Sequence, residues 1–175
     1  KHLEQTRDVF LFCCYTSLRY SDVAALKVED VKEGYITVVT QKTSDGLKIE
    51  LNRHAQAIID KYHGKRFRGD RALPVISNQK MNDYLKELGR MAGIDAPTRV
   101  VYFRGEQRFD EYHPKWELLT THCARRTFVV TALQLGIPVE VIIRWTGHSS
   151  YEAMKPYVAI VDDLKKKEMD KFNAL

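Results

Sequence analysis

What most restricts the fold of this chain is the way glycines punctuate stretches of helical apolar spacing around one β-rich pair of segments. Val9, Phe10, Phe12, Cys13 and Leu18 give a first helix its buried stripe, ending near Ser17. Further helices are predicted at Arg53 to Tyr62, Asn78 to Met91, His122 to Leu135, Val139 to Trp145 and Asp162 to Phe172, with stops at Gly64, Gly93, Gly136 and Gly147. Between the early helices, "YITVVTQ" is β-rich and "LKIEL" alternates Leu47, Ile49 and Leu51, with Asp45-Gly46 as a turn signal. The result is a mostly α chain with a small antiparallel hairpin, an α+β domain. Ser21 is predicted to cap a short second helix that runs to about Val28, with Asp22 in its first turn, where a carboxylate suits the helix dipole. The stretch from Pro97 to Glu117, rich in Arg, Tyr and Phe, reads as either a second small hairpin or a loop.

Composition narrows the class of protein. The 175 residues are 44% hydrophobic yet hold no long apolar run, which suits a single domain with a core and gives no membrane span. A net charge of +5, from 28 basic and 23 acidic residues, leans mildly toward a polyanionic partner. Cys13, Cys14 and Cys123 lie inside apolar helical patterns without a C-x-x-C pair, so reduced thiols are expected and a zinc site is not. The chain starts at Lys1, directly in helical periodicity and without a signal pattern, and is expected to be part of a longer protein.

Four short segments carry chemistry. "THCARRTF" sets His122 and Arg125 three residues apart at a helix start, so both project from one face. "TSLRYSDV" places Arg19 in a short break between helices, where loop backbone can aim a guanidinium. In "GHSSYEAMKPY", Gly147 ends a helix and releases His148, while Pro156 disfavours continuous helix through Lys155 and sets Tyr157 on a separate segment. In "TQKTSDGLKIEL", Lys42 and Lys48 flank the turn. Alternation sends Lys48 outward, whereas Lys42 lies where strand gives way to turn, and Lys42 is the candidate chosen.

Taken together these segments resemble the tyrosine recombinase family, also called phage-type integrases. That family has an arginine in a "TGLR-S-E" segment, a lysine on a β-hairpin, an H-x-x-R box, a histidine in "LGHSS" and a tyrosine nine residues later. Arg19, Lys42, His122, Arg125, His148 and Tyr157 fill those positions, with Ser17 in place of glycine, Asp22 in place of glutamate and Thr146 in place of leucine. The resemblance implies the catalytic-domain fold of DNA breaking-rejoining enzymes over residues 1–175, with a DNA-clamping domain preceding it in the full protein. It implies a site-specific recombinase or integrase of a mobile element that cleaves double-stranded DNA through a 3′-phosphotyrosyl link. A relaxing topoisomerase of type IB and a noncatalytic DNA-binding module are the alternatives.

The chemistry fits those residue types. Guanidinium forks stabilise charge on nonbridging phosphate oxygens, and a phenol needs a base or cationic surroundings to attack phosphorus. Arg19 and Arg125 would hold the phosphate, His122 would help remove the Tyr157 proton, Lys42 would protonate the leaving 5′ oxygen and His148 would donate to a nonbridging oxygen. Asp22 either supports the site or serves only its helix. Arg99, Arg104, Arg108, Lys115 and Arg126 are candidate contacts to the DNA backbone. No metal or cofactor is expected. The resemblance further implies a homotetramer on synapsed DNA, a monomer in isolation, action at the nucleoid of a prokaryotic cytoplasm, and a tail at 160–175 that packs in cis or docks on a neighbour.

Overall fold

A computed structural model describes residues 1–39, 46–148, 151–158, 169, 170 and 173. Helix α1 (His2–Thr16) runs through the middle of the larger core, burying Val9, Phe12 and Cys13 against α3 (Arg53–Tyr62), α4 (Asn78–Met91) and α5 (Thr121–Gln134). Burial holds the thiol of Cys13 well above its ordinary range and pushes that of Cys14 up to about 12, so both are protonated near neutrality.

After α1 the chain reverses at Ser17, which takes the left-handed conformation at φ 62°, a cost of about 1 kcal/mol for a residue with a Cβ. Helix α2 (Tyr20–Ala25) then has its cap two residues earlier, and stops sooner, than the predicted stretch from Ser21 to Val28. The reason lies in Asp22: its Oδ2 accepts from the Arg19 backbone N at 3.1 Å, which makes Arg19 the N-cap and leaves Ser21 exposed in the first turn. At the other end Leu26 is extended and buried, and Lys27 bridges to Arg71.

The predicted hairpin is part of a three-stranded antiparallel sheet, β1 (Val31–Lys32), β2 (Tyr35–Val39) and β3 (Gly46–Glu50), in that spatial order. Ile36 pairs with Ile49 and Val38 with Leu47, which turns these side chains into the larger core and sends Lys48 outward over the Tyr35 ring. Asn52 caps α3, accepting from the N–H groups of His54 and Ala55 at 3.1 Å each.

The stretch from Pro97 to Glu117, read as a second small hairpin or a loop, holds a hairpin, a ribbon of β4 (Pro97–Arg104) and β5 (Gln107–Pro114) paired along its whole length. Its base is seated on α4. Lys115 N–H donates to Ala96 O and Trp116 N–H to Ile94 O, both at 3.0 Å, and a Cβ on Gly89 would lie 2.5 Å from Leu119 Cδ1 and 2.9 Å from Trp116 Cβ.

Helix α5 links two clusters. Ala124 belongs to the larger core, while Val129, Ala132 and Leu133 join Ile142 of α6 (Val139–Thr146) and Met154 in a smaller one, against which Tyr157 packs. A 3-10 turn at Tyr151–Met154 leads directly into α7 (Lys155–Val158). Pro156 therefore stands in the first turn of a short helix that includes Lys155, where its missing N–H costs nothing, rather than breaking helix there as the sequence suggested. Lys42 and, apart from Met169, Asp170 and Asn173, the predicted helix from Asp162 to Phe172 and the tail at 160–175 lie outside the described residues. No helix among the described residues is long and apolar enough to cross a membrane.

Candidate active site

Three helix ends meet around one buried guanidinium. Arg125 lies in the first turns of α5 between the two clusters and is only 3% exposed. Its Nη1 donates to Ser17 O at 3.0 Å, at the end of α1, and its Nη2 to Thr146 O at 2.5 Å, at the end of α6. The left-handed turn at Ser17 presents that carbonyl, and the Ser17 hydroxyl donates to Trp145 O at 3.2 Å, tying the same two helix ends together. Gly147 caps α6 at φ 62° with its N–H donating to Ile143 O, and the chain leaves the helix so that His148 Nε2 is 3.4 Å from Arg125 Nη2.

Among the described residues, Arg19, His122 and Tyr157 of the predicted set lie near this pair. Arg19, half-buried, has Nη1 3.8 Å from Asp22 Oδ2, and Asp22 also holds the Arg19 backbone. Asp22 thus organises the start of α2 and lies beside the Arg19 guanidinium. His122 is exposed one turn before Arg125, and Tyr157 is close enough for its phenolate to bear on the ionisation of Arg125.

Electrostatics follow from this crowding. Burial and the charge of Arg19 lower the Arg125 pKa to about 10, against the opposing pull of Asp22 and Tyr157, so the guanidinium stays charged near neutrality. Burial, then Arg125 and Arg19, push His148 down to about 4, and burial with Arg125, Arg126 and Arg19 lowers His122. Both rings are neutral at pH 7. Among the described residues, the guanidinium groups of Arg19 and Arg125 against the carboxylate of Asp22 leave one net positive charge.

The expected backbone contacts divide. Arg126 is exposed beside His122, and Lys115 is exposed where the ribbon meets α4. Arg99, Arg104 and Arg108 lie on the ribbon, apart from the pocket's hydrogen bonds. Arg99 makes a two-pronged ion pair with Asp110, Arg108 reaches the same carboxylate at 3.6 Å, and Arg104 lies over the rings of Tyr102 and Phe109. Sequence reasoning missed three participants: the carbonyls of Ser17 and Thr146, which no side-chain pattern encodes, and the hydroxyl of Thr146. The last had a signal, a polar residue where the family carries leucine, two positions before His148.

The fold is the catalytic-domain fold of tyrosine recombinases. XerA recombinase superposes with a TM-score of 0.64 at 17% identity, over 97% of this chain and 63% of XerA. A lambda integrase dimer bound to a COC′ core site gives 0.63 at 19% identity, over 87% of this chain and 51% of lambda integrase. The Tn1549 transposon integrase in complex with circular intermediate DNA gives 0.58 at 15%, over 88% and 53%. This chain thus spans less than two thirds of each of these proteins. The model of the phage integrase family matches residues 2–163, and the chain belongs to that family. No curated protein sequence matches it.

Proposed function

We propose that the chain is the catalytic domain of a site-specific DNA recombinase that cleaves and rejoins DNA through Tyr157. The supporting observation is convergence: Arg19, His122, Arg125, His148 and Tyr157 come from three separate stretches of chain yet gather around one partly buried, net positive centre. A phosphodiester entering it meets the Arg125 guanidinium already fixed by two carbonyls, so stabilising the pentacoordinate transition state needs little rearrangement there. Neutral His122 is available to take the Tyr157 proton. Tyr157 Oη then attacks phosphorus and the P–O5′ bond breaks. The leaving oxygen takes a proton, which the family pattern assigns to Lys42. The 3′-phosphotyrosyl bond retains the energy of the broken linkage for rejoining, so no nucleotide is consumed.

The same reading includes mobile-element DNA as substrate, a tetramer at synapsis, a clamping domain elsewhere in the full protein, and a prokaryotic host. The test uses a pool of nicked duplexes with randomised sequence around the nick. Covalent adducts surviving denaturant are isolated, and their DNA is sequenced. Wild type should yield adducts enriched for one sequence, and Tyr157→Phe none while still binding DNA. Adducts that persist in that variant would assign the attack to another residue.

A further inference from the structure

We propose that the Thr146 hydroxyl is a positioning group that fixes His148 as its Nδ1–H tautomer, so that Nε2 meets the substrate unprotonated and gains its proton only as a phosphate arrives. The arrival step rests on the recombinase reading above; the tautomer does not.

The polarity of each neighbour decides the tautomer. Thr146 is fully buried at the end of α6, and its Oγ1 is 2.8 Å from Ile142 O. A carbonyl only accepts, so the hydroxyl proton goes there, leaving Oγ1 lone pairs toward His148 Nδ1 at 2.6 Å. Nδ1 must donate. Across the ring, Nε2 faces Arg125 Nη2 at 3.4 Å, and a guanidinium has no lone pair to offer, so Nε2 must accept. Both sides of the ring give the same answer. The backbone carbonyl of Thr146 also holds Arg125 Nη2, so one residue sets where the cation and the imidazole stand relative to each other.

The charges around the ring explain why the proton waits. Arg125 of α5 and Arg19 at the α1–α2 break act on it directly and are both cations; Asp22 and Tyr157 act on Arg125, and His122 shares the two arginines. Burial and these cations keep the ring neutral far below its usual range. An anionic phosphate between the arginines cancels that field. A proton from solvent then adds to Nε2, Nδ1–H stays on Thr146, and the imidazolium donates Nε2–H to a nonbridging oxygen. No covalent bond in the DNA changes in this step.

Two-bond 1H–15N spectra of the 15N-histidine-labelled chain read the tautomer without any DNA. His148 should show the neutral Nδ1–H pattern down to about pH 5. Thr146→Ser should keep it, and Thr146→Val should convert it to a mixture; an Nε2–H pattern in wild type overturns the proposal. Inorganic sulfate, used as the anion probe, should raise the His148 midpoint by about one pH unit. No shift despite saturable binding in the pocket would remove the arrival step. With the nicked-duplex pool, Thr146→Val should slow adduct formation about tenfold to hundredfold while Thr146→Ser recovers most of it. Wild-type rates in Thr146→Val would overturn the positioning role. If wild type forms no adduct at all, the recombinase reading fails while the spectra still decide the tautomer.

Discussion

Arg125 and Arg99 are the same side chain put to opposite uses. Arg125 is buried and held by two neutral carbonyls, Ser17 O and Thr146 O, and its proton is loosened by burial and by Arg19. Arg99 is exposed and gripped by Asp110, which holds its proton tighter. Carbonyls orient a guanidinium without cancelling its charge, whereas a carboxylate orients it and cancels it. The pocket therefore keeps a cation to present to an anion, and the ribbon spends its arginines on itself. Over residues 97–114 the ribbon holds three arginines, Arg99, Arg104 and Arg108, against three carboxylates, Glu106, Asp110 and Glu111. Its exposed apolar side chains, Phe103 at 66% and Tyr112 at 69%, sit among charges that are already matched.

The contrast can be broken at either end. Arg125→Lys keeps the charge but loses the fork, and should slow adduct formation on the nicked duplexes about 10²- to 10³-fold, against less than about threefold for Arg99→Ala. Comparable losses from both would erase the distinction. Next in size is Gly89→Ala, whose new methyl overlaps Leu119 and Trp116 at the seat of the ribbon. It should lower unfolding stability by about 1–2 kcal/mol in urea titrations while the rate of adduct formation stays within a fewfold of wild type.

The third test is acidification. The His148 pKa is lower folded than unfolded, so the unfolded chain binds the proton first and stability falls as pH drops from the usual histidine range toward 4. His148→Gln should lose less stability than wild type between about pH 7 and 5 in the same urea assay, since the other titrating groups are common to both. An identical pH dependence would mean that neither burial nor the two arginines lowers the ring's affinity for a proton. The smallest effect is expected from Asp110→Asn, which releases Arg99 and Arg108. Binding of duplex DNA by fluorescence anisotropy should tighten roughly threefold at low salt and grow more salt-sensitive. If it does not, the ribbon lies away from the DNA path.

Legibility in the sequence tracked how local each cause was. Helices α3 and α4 were readable to the residue, because apolar spacing and stop glycines act within one segment. The start of α2 was misplaced because its cap is made by Asp22 reaching back to the Arg19 backbone, a choice that Ser21 would equally have satisfied on residue type. The ribbon stayed ambiguous since neither of its faces is buried in the core, so β4 and β5 lack the strict apolar alternation that identified β3. For the candidate site, the ionisable members stood out because their spacing resembles a family pattern. The carbonyls that aim Arg125 did not, since every residue has one and only the fold decides which are turned inward.

Arg125 reaches Ser17 across 108 positions of sequence and Thr146 across 21. The guanidinium works as a rivet: its two hydrogen bonds exist only where the end of α1, the start of α5 and the end of α6 are docked together. Here the candidate site and the finished tertiary structure come into being together.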